Sequence, residues 1–431
     1  MNMKHIADLH IHSKYAGACS EQLTLKNLDA VAKEKGISTL GTGDFTHPEW
    51  MRSIKEELEE RSSGVYSFKG SGSGTRFILS TEVSLVFNKE SGTGSKQLFS
   101  KDSGIKKMHN CVLAPSIDAA EGINDVLSKH GDMKADGRPL LSMTSEEFVE
   151  AVRCVDKNAF IFPAHAWTPW FGVFGSMSGF DSIAEAYGSQ AKHIRAIETG
   201  LSSDPSMNWR ISGLDDYALI SGSDAHSLPK VGREAMVLEM GKDGFSFDQM
   251  IDAIIGSTAM TIEFYPEEGK YHFDGHRRCG ISLSPKDALK YNNICPKCRR
   301  KLTIGVLHRI EELADREDGY VPKGAVPFVH AVPLREVIAY VSGKGVGTEY
   351  VNNSYTNLIK RFGSEFNVLL ESSAEELTAA DKGVGEAIAD IRANDINIIP
   401  GYDGVFGIID ITRKVAARKG GFGQKRIGDF G

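Results

Sequence analysis

Three absences limit what this chain of 431 residues can be. It holds only six cysteines, too few for a disulfide scaffold and more typical of a reducing compartment. It has no run of about 18 consecutive apolar residues, which argues against a membrane span. Its N-terminus has no basic segment followed by an apolar run, so no secretory signal is predicted. We therefore expect a cytoplasmic protein without a membrane partner.

The net charge of −7 is unevenly divided along the chain. Residues 1–269 carry 26 Lys and Arg against 37 Asp and Glu, whereas residues 270–431 carry 24 against 20. The segment 270–301 alone has nine basic and two acidic residues. An acidic first part beside a basic segment suits a protein that acts on a polyanion.

Short β-rich runs alternate with helical stretches as far as about residue 262, and amphipathic helices are predicted over 24–35 and 145–157. The candidate strands are 5–10, 37–43, 76–83, 159–163, 194–198, 217–222 and 234–239. This alternation predicts an α/β fold built around a closed or nearly closed β/α barrel. In such barrels the chemistry lies on the loops that follow the strands.

Side chains typical of metal ligands recur near the ends of these strands. His10 and His12 share one face of the first strand, because side chains alternate along a strand. The later ones are Asp44, His47, Glu82, His109, His165, Asp224 and His226. Each alone is more often a helix cap or a core residue, but so many together indicate a metal centre. The absence of thiolates favours Zn²⁺, Mn²⁺ or Fe²⁺, and the number of ligands favours several ions bridged by Glu82 or Asp224. Such a centre suits metal-assisted hydrolysis of a phosphoester.

Six motifs resemble the PHP (polymerase and histidinol phosphatase) superfamily: DLHIH (8–12), GTGD (41–44), STE (80–82), MHN (108–110), PAH (163–165) and SDAH (223–226). The resemblance implies a distorted (β/α)7 barrel over residues 1–265 that holds up to three zinc ions, with Mn or Mg as alternatives. The implied ligands are His10, His12, Asp44, Glu82, His109, His165, Asp224 and His226. Asp224, Glu82 and His47 are the expected catalytic residues. Phe45 and Thr46 separate His47 from Asp44, which leaves His47 either as a ligand or as a contact to a substrate phosphate.

Residues 266–302 contain two ligand pairs, His276-x2-Cys279 and Cys295-x2-Cys298. Their spacing is typical of a closed, tetrahedral structural zinc site, and we call this segment the zinc knuckle. His272 is close enough to compete with His276 for the fourth ligand position. Because so short a segment buries little core, the metal is expected to supply most of its folding free energy.

Several aromatic residues are candidates for contacts with nucleic acid. Trp167 and Trp170 follow the expected ligand His165. There they either insert into a nucleic-acid strand or cover the metal site. The segment 399–407 combines glycines with Tyr402, Asp403 and Phe406 and suits either base stacking or a plain tight turn. A mainly helical domain over 303–412 is predicted around this segment.

Over nearly its full length the chain resembles the endonuclease Q family, with AHAWTPW (164–170), CPKCRRKLTIGVLHRIEELADR (295–316) and IIPGYDG (398–404) as further motifs. The resemblance implies cleavage of single- or double-stranded DNA 5′ of deaminated bases (uracil, hypoxanthine or xanthine) or abasic sites, at the nucleoid. The helical domain would then read the damaged base. Residues 413–431 form a basic tail that is expected to be flexible, and Gln424–Phe430 within it is similar to sliding-clamp binding peptides.

Two other functions fit part of the sequence. A phosphatase or exonuclease that acts on another phosphoester explains the barrel but leaves the basic zinc knuckle without a role. A nucleic-acid-binding protein with a vestigial barrel explains the knuckle, but the nearly complete set of ligands argues against it.

Overall fold

The computed structural model describes residues 2–70, 74–88, 104–241, 245–256 and 258–411. They form two compact units. The first contains the chain up to Lys33, Ile37–Ile262 and Glu312–Phe328, and the second contains Glu34–Gly36, Glu263–Glu311 and the described residues from Val329 onward. The basic tail and the clamp-like peptide Gln424–Phe430 lie outside the described residues.

The first unit is an α/β structure. Its strands are β1 (Asn2–Asp8), β2 (Thr39–Gly41), β3 (Leu58–Ser62), β4 (Val65–Phe68), β5 (Arg76–Asn88), β6 (Ile105–Ala114), β7 (Leu140–Leu141), β8 (Phe160–Pro163), β9 (Ala196–Glu198), β10 (Ala218–Ile220), β11 (Ala235–Gly241) and β12 (Thr258–Glu263). Its helices are α1 (Leu25–Lys35), α2 (Pro48–Glu57), α3 (Ile117–Leu127), α4 (Ser145–Val155), α5 (Ile183–Tyr187), α6 (Pro205–Asn208) and α7 (Phe247–Gly256).

All seven predicted strands are present, but the sheet is mixed. The order β12-β11-β1-β2-β5-β4-β3 forms its main path, and β6 and β8 continue it from β5. The pairs β1–β2 and β2–β5 are parallel, whereas β1–β11, β5–β6 and β6–β8 are antiparallel. The strand predicted over 234–239 therefore runs against its neighbour β1, unlike a strand of a uniform parallel barrel. β9 and β10 form a separate parallel pair.

The prediction placed the end of the third strand at residue 83, and this was wrong. β5 continues to Asn88 because it forms a long hairpin with β6, in register from Leu79 opposite Ala114 to Asn88 opposite Ile105. Eleven consecutive residues of β5 are buried, so this strand is covered on both faces. Glu82 consequently lies in mid-strand rather than on a loop.

The predicted helix near residue 145 is confirmed as α4. Thr144 accepts a hydrogen bond from the backbone N–H of Glu147, and the Glu147 carboxylate accepts one from the Thr144 N–H, which completes the capping box. The apolar face of α4 buries Phe148, Val149 and Val152. A cluster of buried side chains from β1, β5, β6, β8, β11 and α7 forms a core of this unit.

The second unit contains short strands and mostly short helices. Its strands are β13 (Asp274–His276), β14 (Ile281–Leu283), β15 (Phe328–His330), β16 (Asn397–Ile399) and β17 (Ile408–Asp410). Its helices are α8 (Pro285–Lys290), α9 (Val306–Leu313), α10 (Leu334–Ser342), α11 (Glu349–Phe362), α12 (Ala374–Ala380) and α13 (Lys382–Arg392). In the described part of the chain, none of the helices has both the length and the apolar character needed to cross a bilayer.

Candidate metal centres

His10, His12, Glu82 and Asp224 converge in the first unit, with one donor atom from each lying within 4.8 Å of the others. The Nε2 atom of His12 lies 3.1 Å from Oδ1 of Asp224 and 3.2 Å from Oε2 of Glu82. The Nε2 atom of His10 lies 3.7 Å and 3.6 Å from the same two oxygens. This Nε2 is buried without a hydrogen-bond partner, as expected of an atom that ligates a metal.

A second group contains Glu82, His109 and His165. Oε1 of Glu82 lies 2.7 Å from Nδ1 of His109 and 2.9 Å from Nε2 of His165. The two carboxylate oxygens of Glu82 thus face different groups of histidines. This is the geometry of a bridging ligand, so Glu82 fits the bridging role that the sequence left open between it and Asp224.

The structure places His10 and His12 just after β1, which ends at Asp8, and not within a strand as the sequence predicted. A carboxylate contacts the Nδ1 atom of each of these two rings. Both oxygens of Glu198 lie near Nδ1 of His10, at 2.8 and 3.0 Å, and Oδ1 of Asp44 lies 2.9 Å from Nδ1 of His12. Such contacts fix the ring and turn its other nitrogen toward a metal. Glu198 also accepts a hydrogen bond from the backbone N–H of His165 at 2.7 Å, so one carboxylate fixes a residue of each donor group.

Three of the predicted ligands have left-handed backbone conformations. The φ angles of Asp44, His165 and Asp224 are 47°, 29° and 47°. Non-glycine residues rarely adopt such angles, and those that do cluster at functional sites. Gly43, with φ of 64°, precedes Asp44, and a Cβ there would lie 2.5 Å from the carbonyl oxygen of Ile11. The close approach of these two chain segments therefore requires glycine.

The charges of the centre favour ionised carboxylates. Burial by itself would raise the pKa of Glu82, but the neighbouring His109 and His10 outweigh burial and hold this pKa well below its usual range. Burial would likewise raise the pKa of Asp224, but hydrogen bonding to His12 together with the charges of His10 and His12 outweighs burial and lowers this pKa. Burial lowers the pKa of His109 to about 4, which favours the neutral imidazole that binds metals.

The structure adds two residues that the sequence reasoning missed. Nη1 of Arg138 donates a hydrogen bond to Oε2 of Glu82 at 3.1 Å, which places a permanent cation beside both donor groups. Glu198, described above, is the second. Glu198 ends the predicted strand 194–198, so the strand-end rule was sufficient to find it. Arg138 lies in a loop without a recognisable motif, and no sequence signal indicated it.

Three predicted residues lie outside the two donor groups. Asp44 is behind His12, with its second oxygen accepting the backbone N–H of Ser13 at 2.6 Å. The Nδ1 atom of His226 lies 2.8 Å from the carbonyl oxygen of Asp224, and its ring is 4.7 Å from that of His12. His47 stacks on Tyr15 at 4.3 Å, and burial lowers its pKa. Of these three, His226 is the nearest to a ligand position.

The zinc knuckle gathers its four predicted ligands. Donor atoms of His276, Cys279, Cys295 and Cys298 all lie within 4.8 Å of one another. Burial opposes ionisation of Cys295, but the backbone N–H groups of Cys298 and Lys297 outweigh it and lower the pKa of this thiol. His272 is not in this group; it is buried and stacks on Phe273. The geometry therefore favours His276 over His272 for the fourth position.

Solved structures with the same fold as this chain are known. One is the crystal structure of the lesion-specific endonuclease PfuEndoQ from Pyrococcus furiosus, 30% identical, with a TM-score of 0.83 over 97% of this chain and 98% of that one. The chain belongs to the endonuclease Q family. A second family structure, a complex of endonuclease Q with a 27-mer duplex that has an abasic lesion at the active site, matches with a TM-score of 0.81 and 30% identity over 97% of this chain and 99% of that one. The family resemblance noted in the sequence is thus confirmed.

The chain also has relatives in sequence. It is 35% identical over 251 residues to the uncharacterized protein MJ0043 of Methanocaldococcus jannaschii, a match that covers 57% of this chain and 31% of that protein. It thus matches about a third of the length of this relative. Residues 333–395 match the family model described as the MJ0043 C-terminal domain. This segment contains α10 to α13.

The aromatic residues that the sequence offered as nucleic-acid contacts differ in accessibility. Trp167 is only 1% exposed, and its indole N–H donates to Asn208 at 2.8 Å, so it is a core residue in this conformation. Trp170 and Phe406 are 40% and 56% exposed. The aromatic ring of Phe406 also lies 5.6 Å from Nζ of Lys270. Trp170 and Phe406 are therefore better placed than Trp167 to stack on a ligand.

Asp403 lies in the glycine-containing segment 399–407 and contacts the zinc knuckle. Its carboxylate accepts hydrogen bonds from the backbone N–H of Arg277 and from the hydroxyl of Thr303, the latter at 2.7 Å. Tyr402 packs closely on Gly275, where a Cβ would lie 2.4 Å from its ring. The sequence assigned Asp403 and Tyr402 to base binding, and these contacts give both residues a structural role as well.

Proposed function

We propose that this protein is a DNA repair endonuclease that hydrolyses the phosphodiester bond 5′ of a deaminated base (uracil, hypoxanthine or xanthine) or an abasic site. The observation that carries the proposal is the pair of donor groups that share Glu82, in a chain that matches lesion-specific endonucleases over 97% of its length. The abasic duplex bound at the active site of one of these relatives supports DNA as the substrate.

The donor groups fit divalent metal ions. They combine imidazole nitrogens with carboxylates, and within the described residues no group lies at hydrogen-bond distance from the buried Nε2 of His10. We propose up to three zinc ions, with Mn or Mg as alternatives, and one further structural zinc in the knuckle. When bound, the ions of the active site would lower the pKa of a water molecule and neutralise charge on the phosphate.

The protein's own residues have distinct roles in this proposal. Glu82 and Asp224 hold the metal centre together, while Glu198 and Asp44 keep the histidines that follow β1 in position. Arg138 has five N–H donors, more than its contact with Glu82 uses, so its guanidinium can also bind a phosphate oxygen. His47 and His226 are proposed to contact the substrate phosphate or to complete the coordination.

The proposed architecture follows the family. Residues 1–265 would be a distorted (β/α)7 PHP barrel, residues 266–302 the zinc knuckle, and residues 303–412 the domain that reads the base. The proposed contacts to DNA remain Tyr402, Asp403, Phe406, Trp167 and Trp170, and exposure favours Phe406 and Trp170 among them.

A deaminated or missing base costs less to flip out of the helix than an intact pair, which explains selectivity for damage. A DNA substrate implies work at the nucleoid, and Gln424–Phe430 is proposed to bind a sliding clamp.

End-labelled duplexes that contain one uracil, hypoxanthine, xanthine or abasic site, beside an undamaged duplex, test the proposal. With Zn²⁺, Mn²⁺ or Mg²⁺ we expect a single nick 5′ of the lesion and none in the undamaged strand. Asp224→Ala and Glu82→Gln should abolish cleavage while lesion binding persists, and Asp216→Asn, a change at an exposed carboxylate, should leave cleavage intact.

The same experiment distinguishes the alternatives. Turnover of p-nitrophenyl phosphate without any nick would favour a phosphatase, and stepwise loss of terminal nucleotides would favour an exonuclease. DNA binding with no hydrolysis under any of the three metals would favour a vestigial centre. Any of these three results would overturn the endonuclease proposal.

A further inference from the structure

The zinc knuckle has a small core of its own. Ala288, Cys295 and Leu302 are buried, and Cys279, Ile281 and Leu283 pack against them. So small a segment has few apolar side chains to bury, and each one left in water forgoes stabilisation. An exposed large apolar side chain in such a segment therefore requires an explanation.

Leu289 and Tyr291 are two such side chains. Leu289 lies in α8 and Tyr291 caps its C-terminus, and they are 56% and 46% exposed. The next two residues, Asn292 and Asn293, have left-handed φ angles of 52° and 57°. This pair of residues produces a sharp reversal of the chain directly after Tyr291. The two apolar side chains thus lie exposed at the C-terminal end of α8, just before the chain reverses; we call this part of the knuckle the apolar corner.

The surroundings of this corner are strongly basic. Nine Lys and Arg side chains between 270 and 301 are exposed: Lys270, Arg277, Arg278, Lys286, Lys290, Lys297, Arg299, Arg300 and Lys301. Of the two acidic residues in the same segment, Asp274 is buried against His308, and Asp287 pairs with Lys290 at 2.8 Å and offsets one of the nine charges. A segment that carries so much exposed positive charge beside two exposed apolar side chains fits a nucleic acid better than it fits an apolar protein surface or a neutral ligand.

We propose that Leu289 and Tyr291 form an apolar wedge that enters the base stack of a DNA duplex beside the lesion. Proteins that kink or open DNA use such side chains between base steps, while adjacent cations hold the phosphates. Tyr291 supplies an aromatic face on which an unstacked base can lie, and Leu289 fills the space that the displaced base leaves. The inference rests on the proposed function, since a wedge has a purpose only if a damaged nucleotide is turned out of the duplex.

The double variant Leu289→Ser/Tyr291→Ser in the full-length protein tests the wedge. Both side chains are exposed, so its melting temperature should match that of the wild type. On duplex DNA with one abasic site we expect affinity to fall roughly 5- to 150-fold, the range of one lost stacking contact. Because no charge is removed, the dependence of affinity on salt concentration should keep its slope. On single-stranded DNA with the same lesion, nicking should stay within about twofold.

Controls separate the wedge from a general loss of apolar surface. Tyr320→Ser/Val321→Ser also removes an exposed aromatic and an exposed aliphatic side chain, here in the first unit. This control variant should keep the affinity of the wild type for duplex DNA. Tyr291→Phe/Leu289→Met keeps the apolar bulk and should restore duplex affinity. A 2-aminopurine base placed beside the lesion should brighten on binding of the wild type and of the restored variant, and stay dim with the serine variant.

Three results would overturn the wedge. They are unchanged duplex affinity in the serine variant, an equal loss on single-stranded and duplex DNA, and full 2-aminopurine brightening without the two side chains. Failure of the proposed function has a different signature, because the wild type would then nick none of the lesion substrates. Binding and 2-aminopurine fluorescence do not require hydrolysis, so they still decide on the wedge in that case.

Discussion

The Nδ1 atom of His10 lies 2.8 Å from Oε2 of Glu198, a residue 188 positions later in the chain. The same oxygen accepts the backbone N–H of His165 at 2.7 Å. A single buried carboxylate therefore fixes a ligand from each of the two donor groups, although its own oxygens are not among the grouped donor atoms.

The first prediction concerns this contact. Glu198→Gln keeps the shape of the side chain but removes its charge and one acceptor, so His10 is less firmly oriented and less basic. We expect metal affinity and nicking to fall by about 10- to 100-fold. Measurement of bound metal by mass spectrometry beside the nicking rate checks this. Excess metal should restore part of the rate; a rate that stays low at full metal occupancy would show that Glu198 acts otherwise than through His10.

The second prediction concerns Arg138. Removal of its cation in Arg138→Met should reduce kcat/KM by about 100-fold, because developing negative charge on the phosphate loses a half-buried cationic donor. Arg138→Lys keeps the charge but loses the planar guanidinium with its paired N–H donors, and we expect kcat/KM to fall by about tenfold. Steady-state kinetics on an abasic duplex give both values. If the two variants lose activity equally and also lose metal, Arg138 serves only to position Glu82.

The third prediction concerns metal in the knuckle. Cys295 is buried among the four ligands, and the segment around it has only a small core. Cys295→Ser should release one zinc per chain, lower the melting temperature and weaken DNA binding, because metal binding supplies folding free energy here. Cys154→Ser, a change at an exposed cysteine of the first unit, is the matched control. Unaltered zinc content and stability in the Cys295 variant would rule out a structural ion.

The fourth prediction separates two roles of Asp403. Its contacts with Arg277 and Thr303 predict that Asp403→Asn destabilises the protein by about 1–3 kcal/mol, since the backbone N–H of Arg277 and the half-buried hydroxyl of Thr303 lose a charged acceptor. Denaturant unfolding measures this difference. If Asp403 instead only contacts the damaged base, the unfolding curve should not move and the preference among lesions should change.

Much of the centre was predictable because its residues lie at or near strands whose apolar patterns are strong. His10 ends the predicted strand 5–10, and His12, His165 and Asp224 each come two residues after a predicted strand. The structure brings all four together with Glu82 and His109. The knuckle was the simplest part, since its four ligands lie within 23 residues of sequence, and geometry had only to choose His276 over His272.

What could not be predicted depends on contacts between distant segments. The extent of β5 is set by its pairing with β6, so local sequence placed the end of the strand too early. The division of ligand and support roles between Glu82 and Glu198 depends on which carboxylate faces which imidazole nitrogen. Arg138 reaches Glu82 from a loop 56 residues away, and no periodicity or motif encodes that contact.

The mid-strand position of Glu82 affects the order in which parts of the protein unfold locally. β5 is buried along eleven consecutive residues, Phe77 to Phe87, and pairs with β6 from Leu79 onward. Amide hydrogens in such a strand exchange with solvent only when a large part of the structure opens. We therefore expect Glu82 to belong to a slowly exchanging part of the first unit. Loops around the centre can therefore open and close on a substrate, or diverge in sequence between relatives, without disturbing the carboxylate on which both donor groups depend.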